Sequence, residues 1–272
     1  MTRSITRIVC LLLVATVWLG GCAASTDGPD SPRQQALLLA SQRNTTDAHS
    51  ERKRLFYIGL ALYSESWSEN DIVELAGELR RTADYDVVPL IASNFIATSH
   101  ATYPIADDAA IAALVNTAAQ RARSGDIVFV HISTHGARGL LARKVGNKPP
   151  TVITASALSR QLAPLSGQVT VVVISACYSG SLIADLHSPR RIIITAARAD
   201  RASFGCSAGN RHTYFGEAEL HGFAERGLSL RQVFASIRDD VMRLEREERH
   251  TPSEPQISVG EAVADLYDAK VF

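Results

Sequence analysis

The sequence predicts an α/β fold: a three-layer sandwich in which helices cover both faces of a mostly parallel central sheet. Three observations carry this. From Leu55 onward, apolar runs of strand length alternate with segments of helical period, as a parallel sheet with crossover helices requires. Runs such as "DIVFVHIST" and "TVVVIS" are apolar at nearly every position, as strands buried on both faces are. A chain of 272 residues, 46% hydrophobic and 21% charged, is globular and long enough for one sizeable domain. No internal repeat or second composition regime divides it.

Taken in order, the domain opens at "RLFYIGLALY", whose apolar run from Leu55 to Leu62 reads as the first strand. "ENDIVELAGELRR" follows with helical period and a cap expected at Ser68 or Asn70. "YDVVPLIA" is a second strand, and Pro89 within it points to a sheet edge or a strand end. "IADDAAIAALVNTAAQRARSG" is an amphipathic helix stopped by Gly125. "DIVFVHIST" is a buried strand ending at "THG". Gly-Asn and Pro-Pro turn signals between Gly139 and Pro150 mark a short hairpin-like insert, followed by a helix near Ala155 to Ala163. "TVVVISAC" is the next strand, "GSLIADL" its helix, and "RRIIITAA" a further strand. After an irregular loop, "TYFGEAELHGFAE" and "SLRQVFASIRDDVMRLEREER" read as helices and "EPQISVG" as a last strand.

The segment before the domain concerns targeting. Arg3 and Arg7 precede an apolar run, Ile8 to Leu19, too short to span a bilayer comfortably and of the kind found in secretory signals. It ends in "LGGC", Leu19 to Cys22, which resembles the bacterial lipobox; an ordinary small-residue cleavage site is the alternative. The resemblance implies a signal peptide over 1–21, acyl chains (palmitate among them) on Cys22 and, with Ala23 rather than Asp following, an outer-membrane address facing the periplasm. Two or more chains would hold a protein stably at a membrane. Residues 22–52, polar around "ALLLA", read as a flexible tether with at most a turn of helix, and 53–272 as the folded domain.

Lys+Arg and Asp+Glu balance at 28 each, so charge favours neither nucleic acid nor an acidic surface as partner. Cys10 would leave with the signal and Cys22 would take lipid. The mature body then keeps only Cys177 and Cys206, which geometry alone would allow or forbid to pair.

In such sheets, function gathers outside the carboxyl ends of the strands. Two consecutive strands end in "HISTHG" and "ISACYSG", delivering His135 and Cys177. Parallel neighbours lie about 5 Å apart, so residues just past their ends meet across one crevice. A thiol needs a base or a positive neighbour to ionise at neutral pH, and histidine supplies both. Cys177 also stands at the start of an expected helix, whose dipole favours the anion. The backbone N–H groups of Gly136 and Cys177 are candidates for an oxyanion hole. The plain alternative for Cys177 is a small hydrophobe filling a gap; the histidine on the preceding strand argues against it.

A strand ending in His-Gly, then one ending in Ala-Cys-x-Ser-Gly, resembles the legumain family of cysteine peptidases, which has the caspase-like fold. "TAARADRASFGCSAGNRHTYFG" (Thr195 to Gly216) is similar to that family's segment after the next strand, and "PSEPQ" (Pro252 to Gln256) resembles a bacterial lipoprotein branch. The resemblance spans roughly Leu55 to Gly260. It implies a membrane-anchored cysteine endopeptidase with His135 as general base and Cys177 as nucleophile, acting on peptide or protein substrates through a thioester without cofactor or metal. The alternative is an inactive caspase-like module serving as a membrane-tethered scaffold.

Animal and plant legumains place an acid two residues before the nucleophile, where this chain has Ser175, and their arginine after the first strand has no counterpart in "LYSESWSEN". The resemblance therefore implies the catalytic pair but not a preference for asparagine. Ser203 matches a pocket serine, Ser175 would wall a smaller neutral pocket, and Asp200 would supply charge if it turned inward.

Other motifs carry less. "GCSAG" (Gly205 to Gly209) matches G-x-S-x-G, but the strand before it ends near Ala196, so the strand-turn-helix context is missing and Ser207 reads as a loop serine. His131 and His135 have the spacing of zinc ligands on a helix, yet on a strand that spacing is about 13 Å. His131 reads as a paired core histidine, and His212 and His221 are assigned no role. Cys206 reads as a buried structural thiol, with a second reactive thiol or a disulfide to Cys177 as alternatives. "RLEREERH" is a solvated helix face.

Overall fold

The computed structural model describes residues 31–43, 52–96 and 102–272; the signal segment and Cys22 lie outside the described residues. Six strands form the main sheet: β1 (Arg54–Ala61), β2 (Asp86–Ser93), β3 (Ile127–Ser133), β7 (Thr170–Ser175), β8 (Arg191–Thr195) and β9 (Gln256–Val259), in the order β2-β1-β3-β7-β8-β9. All neighbours are parallel except β9, which runs antiparallel to β8. Pro89 lies in the edge strand β2, where a missing amide hydrogen costs the ladder least.

Two apolar layers sandwich the sheet. On one face Tyr57, Phe129, Val171 and Ile192 pack with α2 (Ser66–Thr82), α6 (Tyr214–Gly222) and α7 (Leu230–Glu247). On the other, Phe56, Val128, Val130 and Val172 meet α3 (Asp108–Arg121), α4 (Ala155–Gln161) and α5 (Ile183–Leu186). Alternate residues of each strand serve opposite faces, which is why the strands are apolar throughout. The insert forms a small antiparallel sheet of β4 (Gly136–Ala137), β5 (Leu140–Arg143) and β6 (Thr151–Thr154).

Helix ends differ from the sequence reading in physical detail. α2 begins at Ser66, ahead of both expected caps. Ser68 is buried and gives its hydroxyl to the Ser133 carbonyl at 2.6 Å, while the Asn70 amide reaches the Arg211 carbonyl at 2.9 Å. Both side chains tie the helix to distant loops instead of capping it. α3 is capped by Asp107, whose side chain accepts from Ala110 N at 2.7 Å, and ends before Gly125, which turns the chain at φ +89°. α7 carries a reciprocal Ser229–Gln232 capping box.

The tether region also contains more structure than a single turn. α1 (Pro32–Arg43) is a 12-residue helix, and buried Gln34 accepts from Ile105 N at 2.7 Å while Leu38 joins the core layer below. Part of the expected tether is therefore docked on the domain.

Candidate active site

The register of β3 on β7 aligns Ser133 with Ser175, and Thr134 N donates to the Ser175 carbonyl at 3.0 Å. His135 and Cys177 each stand two residues beyond this aligned pair, on neighbouring strands. Gly136 closes the approach from the other side: a Cβ there would lie 2.3 Å from the Cys177 carbonyl oxygen. Contacts at 134 and 136 thus bracket His135 beside Cys177. Only glycine permits the second of them.

The ladder also orients Gly136. Ala142 N donates to the His135 carbonyl at 2.8 Å, so His135 and Ala142 form the hydrogen-bonded pair of the β4–β5 ribbon. Gly136 and Leu141 are then the non-bonded pair, with the Gly136 N–H turned away from β5. It is available for an oxyanion.

His135 is half-buried among aromatic rings from the β1–α2 turn. The Tyr63 ring meets it edge-on at 4.4 Å and the Trp67 ring at 5.1 Å. Burial lowers the imidazole pKa; Glu65 opposes this and Lys144 adds to it. Lys144 itself lies over the Tyr63 ring at 5.4 Å. The imidazole is held neutral at pH 7, the form a base requires.

Cys177 is surrounded by donors. Ser203 N donates to its sulfur at 3.3 Å and the Ser203 hydroxyl approaches at 3.6 Å, while the thiol can donate to the Ser203 carbonyl at 3.4 Å. The neighbouring Cys206 is the largest influence on the Cys177 thiol and favours its charged form. Against the opposing effect of burial, these donors bring Cys177 down to about 6. Cys206 is pushed far up by the same contact, by burial and by the neighbouring negative charge. The expected helix dipole is not the cause. Beyond Cys177 the chain makes a 3₁₀ turn, Ser179–Leu182, and only one turn of α5, too short to dominate. Cys206 is half-buried, and both cysteines are free.

Each residue after Cys177 has a definite task. Tyr178 takes a left-handed conformation, φ +56°, that non-glycine residues adopt at some cost. Its N–H donates to the Arg201 carbonyl at 2.7 Å. Ser179 Oγ accepts from Ala197 N at 3.2 Å, and a Cβ on Gly180 would come within 2.8 Å of Ala197 O. Ser181 Oγ donates to Tyr178 O at 2.6 Å and accepts from Gly139 N at 2.9 Å, joining the turn after Cys177 to the insert. "YSGS" is thus a clasp that fixes where the thiol points.

Below the cleft lies a buried polar layer that the sequence reading missed. The Asp71 carboxylate accepts from the hydroxyls of Ser133 and Thr213, each at 2.9 Å, and from Thr213 N at 3.2 Å. His212 Nδ1 lies 3.2 Å from Asp71, and its Nε2 lies 3.3 Å from Glu74. Burial disfavours the charged ring, yet the bond to Asp71 and the charges of Asp71 and Glu74 prevail and raise its pKa. Ser175 is part of this layer. It is 1% exposed, with its hydroxyl 3.0 Å from that of Thr213, so it does not wall a substrate pocket.

Asp200 is held at the surface by Arg198, at 2.6 Å. Arg198 also pairs with Glu254 at 2.5 Å, and its N–H donates to the Ser253 carbonyl. The "PSEPQ" segment therefore anchors the loop that carries Ser203 and Cys206. Ser207 is exposed in that loop, with no strand leading into it. Among the described residues no group of three or more His, Cys, Asp and Glu is placed to hold a metal ion.

The model of the peptidase C13 family matches residues 84–265, which contain both His135 and Cys177. The chain belongs to the peptidase C13 family. It is accordingly a cysteine-type peptidase of the legumain kind. Among solved structures, caspase-1 from Spodoptera frugiperda is similar in fold, with a TM-score of 0.52 over 79% of this chain and 92% of that one, at 15% identity. No curated protein matches the sequence.

Proposed function

We propose that this peptidase is a lipid-anchored endopeptidase in which Cys177 is the nucleophile and His135 the general base. The observation that carries the reading is the half-buried thiol with a lowered pKa, set beside a neutral imidazole past two aligned strand ends. His135 takes the thiol proton as the Cys177 sulfur attacks the scissile carbonyl carbon, and the N–H groups of Gly136 and Cys177 receive the oxyanion. The proton taken up by His135 passes to the leaving amine as the C–N bond breaks. Water activated by His135 then hydrolyses the thioester and frees the thiol.

Asparagine specificity is not expected. Asp71 already has Ser133, Thr213 and His212 on its oxygens, and Ser175 is turned to Thr213. Neither is free to pair the donor of a side-chain amide, and an unpaired buried group costs about 1–3 kcal/mol. Ser203 remains the candidate substrate contact.

The anchor is proposed on the lipobox-like "LGGC", with Cys22 acylated and the domain held at the outer membrane on its periplasmic side. Among the described residues no helix is long and apolar enough to cross a membrane.

A peptide-library profile of the full chain in detergent tests the chemistry. Cys177→Ala and His135→Ala should each lower turnover by about 10⁴-fold or more; turnover at wild-type rate in Cys177→Ala would overturn the assignment. A profile dominated a hundredfold by asparagine would overturn the specificity. Cys22→Ala should move the protein from the membrane fraction or arrest its maturation, and unchanged fractionation with normal maturation would refute the anchor.

A further inference from the structure

Helix α2 meets the cleft end of the sheet twice. The Trp67 ring lies against His135, 5.1 Å between centroids, and Asp71 stands four residues on, along the same face of the helix. The Asp71 side chain is fully buried. One of its oxygens accepts from Thr213 N at 3.2 Å and faces His212 Nδ1 at 3.2 Å. The other accepts the hydroxyl protons of Ser133 and Thr213, each at 2.9 Å. The Thr213 hydroxyl has a single proton, so toward its other neighbours it accepts: from Gly216 N at 2.8 Å and from the Ser175 hydroxyl at 3.0 Å. Two chains of hydrogen bonds therefore end on one carboxylate. The first is a single bond and reaches β3 two residues before His135. The second runs through Thr213 to Ser175 and reaches β7 two residues before Cys177. The fit around the carboxylate is tight, since a Cβ on Gly216 would lie 2.1 Å from it.

We propose that Asp71 is a positioning residue for the peptidase reaction: its carboxylate ties the ends of β3 and β7 to one point on α2 and so sets how His135 meets Cys177. The inference rests on reading those two residues as base and nucleophile. Strand ends fray where the ladder stops. Past the aligned Ser133 and Ser175, one further rung joins β3 to β7, from Thr134 N to the Ser175 carbonyl. The side-chain ties sit at that last rung. Ser133 is gripped from its carbonyl as well, which accepts from the Ser68 hydroxyl at 2.6 Å and from Leu62 N at 3.1 Å. Trp67, Ser68 and Asp71 all belong to α2, so one helix fixes both the backbone that leads to the base and the ring that walls it. Thr213 extends the restraint, because Tyr214 N beside it donates to the Phe204 carbonyl at 3.1 Å, in the loop of Ser203. A displacement of about 1 Å between reacting groups costs about 100-fold in rate. Among the described residues the carboxylate bonds Ser133, Thr213 and His212, and neither reacting group is among its partners. It therefore acts through the strand ends.

The test compares Asp71→Ala with Asp71→Asn in the full chain in detergent. Asparagine keeps the shape: its oxygen can accept from Thr213 N, and its amide can donate to the Ser133 and Thr213 hydroxyls, which then turn round. Asp71→Ala should lower kcat per folded molecule about 100-fold while KM changes by less than about threefold. Asp71→Asn should recover kcat to within about tenfold of wild type. A purely stabilising role would leave kcat per folded molecule unchanged, and that result would overturn the proposal. So would Asp71→Asn as slow as Asp71→Ala, because charge rather than the tie would then be acting. If Asp71→Ala does not fold, Ser133→Ala removes only the tie to β3 and should still lower kcat about tenfold; an unchanged kcat there refutes the tie. A second readout needs no turnover. In protein carrying His135→Cys and Cys206→Ala, the short cross-linker dibromobimane should bridge the two thiols at positions 135 and 177. Adding Asp71→Ala or Ser133→Ala should lower that yield severalfold, and an unchanged yield would overturn the proposal. A yield that falls in this way, from a wild-type protein that cleaves nothing, would sink the peptidase mechanism and leave the positioning role standing.

Discussion

Two histidines four positions apart do opposite work. His131 lies inside β3 with no exposed surface, and His135 lies two residues past its end, half-buried. The Tyr57 hydroxyl donates to Ile72 O at 2.8 Å, so at 2.8 Å from His131 Nδ1 it must accept the ring proton. His131 Nε2 stands 3.1 Å from Glu219 in a close but poorly aligned contact. Burial raises the Glu219 pKa, opposed by His131. Both nitrogens of this ring face polar groups of the core. The ring of His135 is instead walled by Tyr63 and Trp67, which orient it without occupying its nitrogens. The difference teaches that the aromatic wall, not the histidine, makes the base available.

The sharpest way to break the comparison is to remove one partner from each ring. Glu219→Ala should cost about 3–5 kcal/mol in denaturant unfolding, because it leaves His131 buried without its partner. His135→Ala should change stability by less than about 1 kcal/mol while activity vanishes. Comparable destabilisation by the two would erase the distinction. A smaller effect concerns the thiol. In Cys206→Ala the iodoacetamide rate should still follow Cys177 ionisation, but its midpoint should move up from about 6 toward the ordinary range, since the leading donor is gone. An unmoved midpoint would mean Ser203 suffices.

The smallest effect is at a third histidine. His212 has a raised folded pKa, so its ion pairs contribute stability fully below its unfolded value of about 6.5 and lose it as pH rises through the folded value. His212→Gln should therefore destabilise by about 1 kcal/mol near pH 5.5 and by progressively less toward alkaline pH. A deficit that grows with pH would reverse the sign and exclude the pairing with Asp71 and Glu74.

Legibility followed the range of the interactions. The sheet, its helices and the placement of His135 and Cys177 past neighbouring strand ends could be read because each depends on local periodicity and on where a strand ends. Pro89 correctly marked an edge. What escaped was long-range. Asp71 and His212 are 141 residues apart in the chain, and Ser175 serves that layer rather than a pocket. No spacing in the sequence records such a meeting. The influence of Cys206 on the Cys177 thiol escaped for the same reason, because Cys206 follows a positive-φ bend at Gly205 that brings together residues far apart in the chain. The aromatic wall was missed because Tyr63 and Trp67 look like any turn residues before a helix.

The docked helix α1 bears on reach. With all 29 residues between Cys22 and Arg52 extended, a lipid-held domain could range about 100 Å from the bilayer. With α1 seated from Ser31 onward through Gln34 and Leu38, only 8 residues separate it from Cys22, or about 30 Å at full extension. An enzyme so tied, if Cys22 carries the proposed lipid, works within one domain's width of the surface. Its substrates would be other residents of that surface rather than proteins diffusing through the compartment.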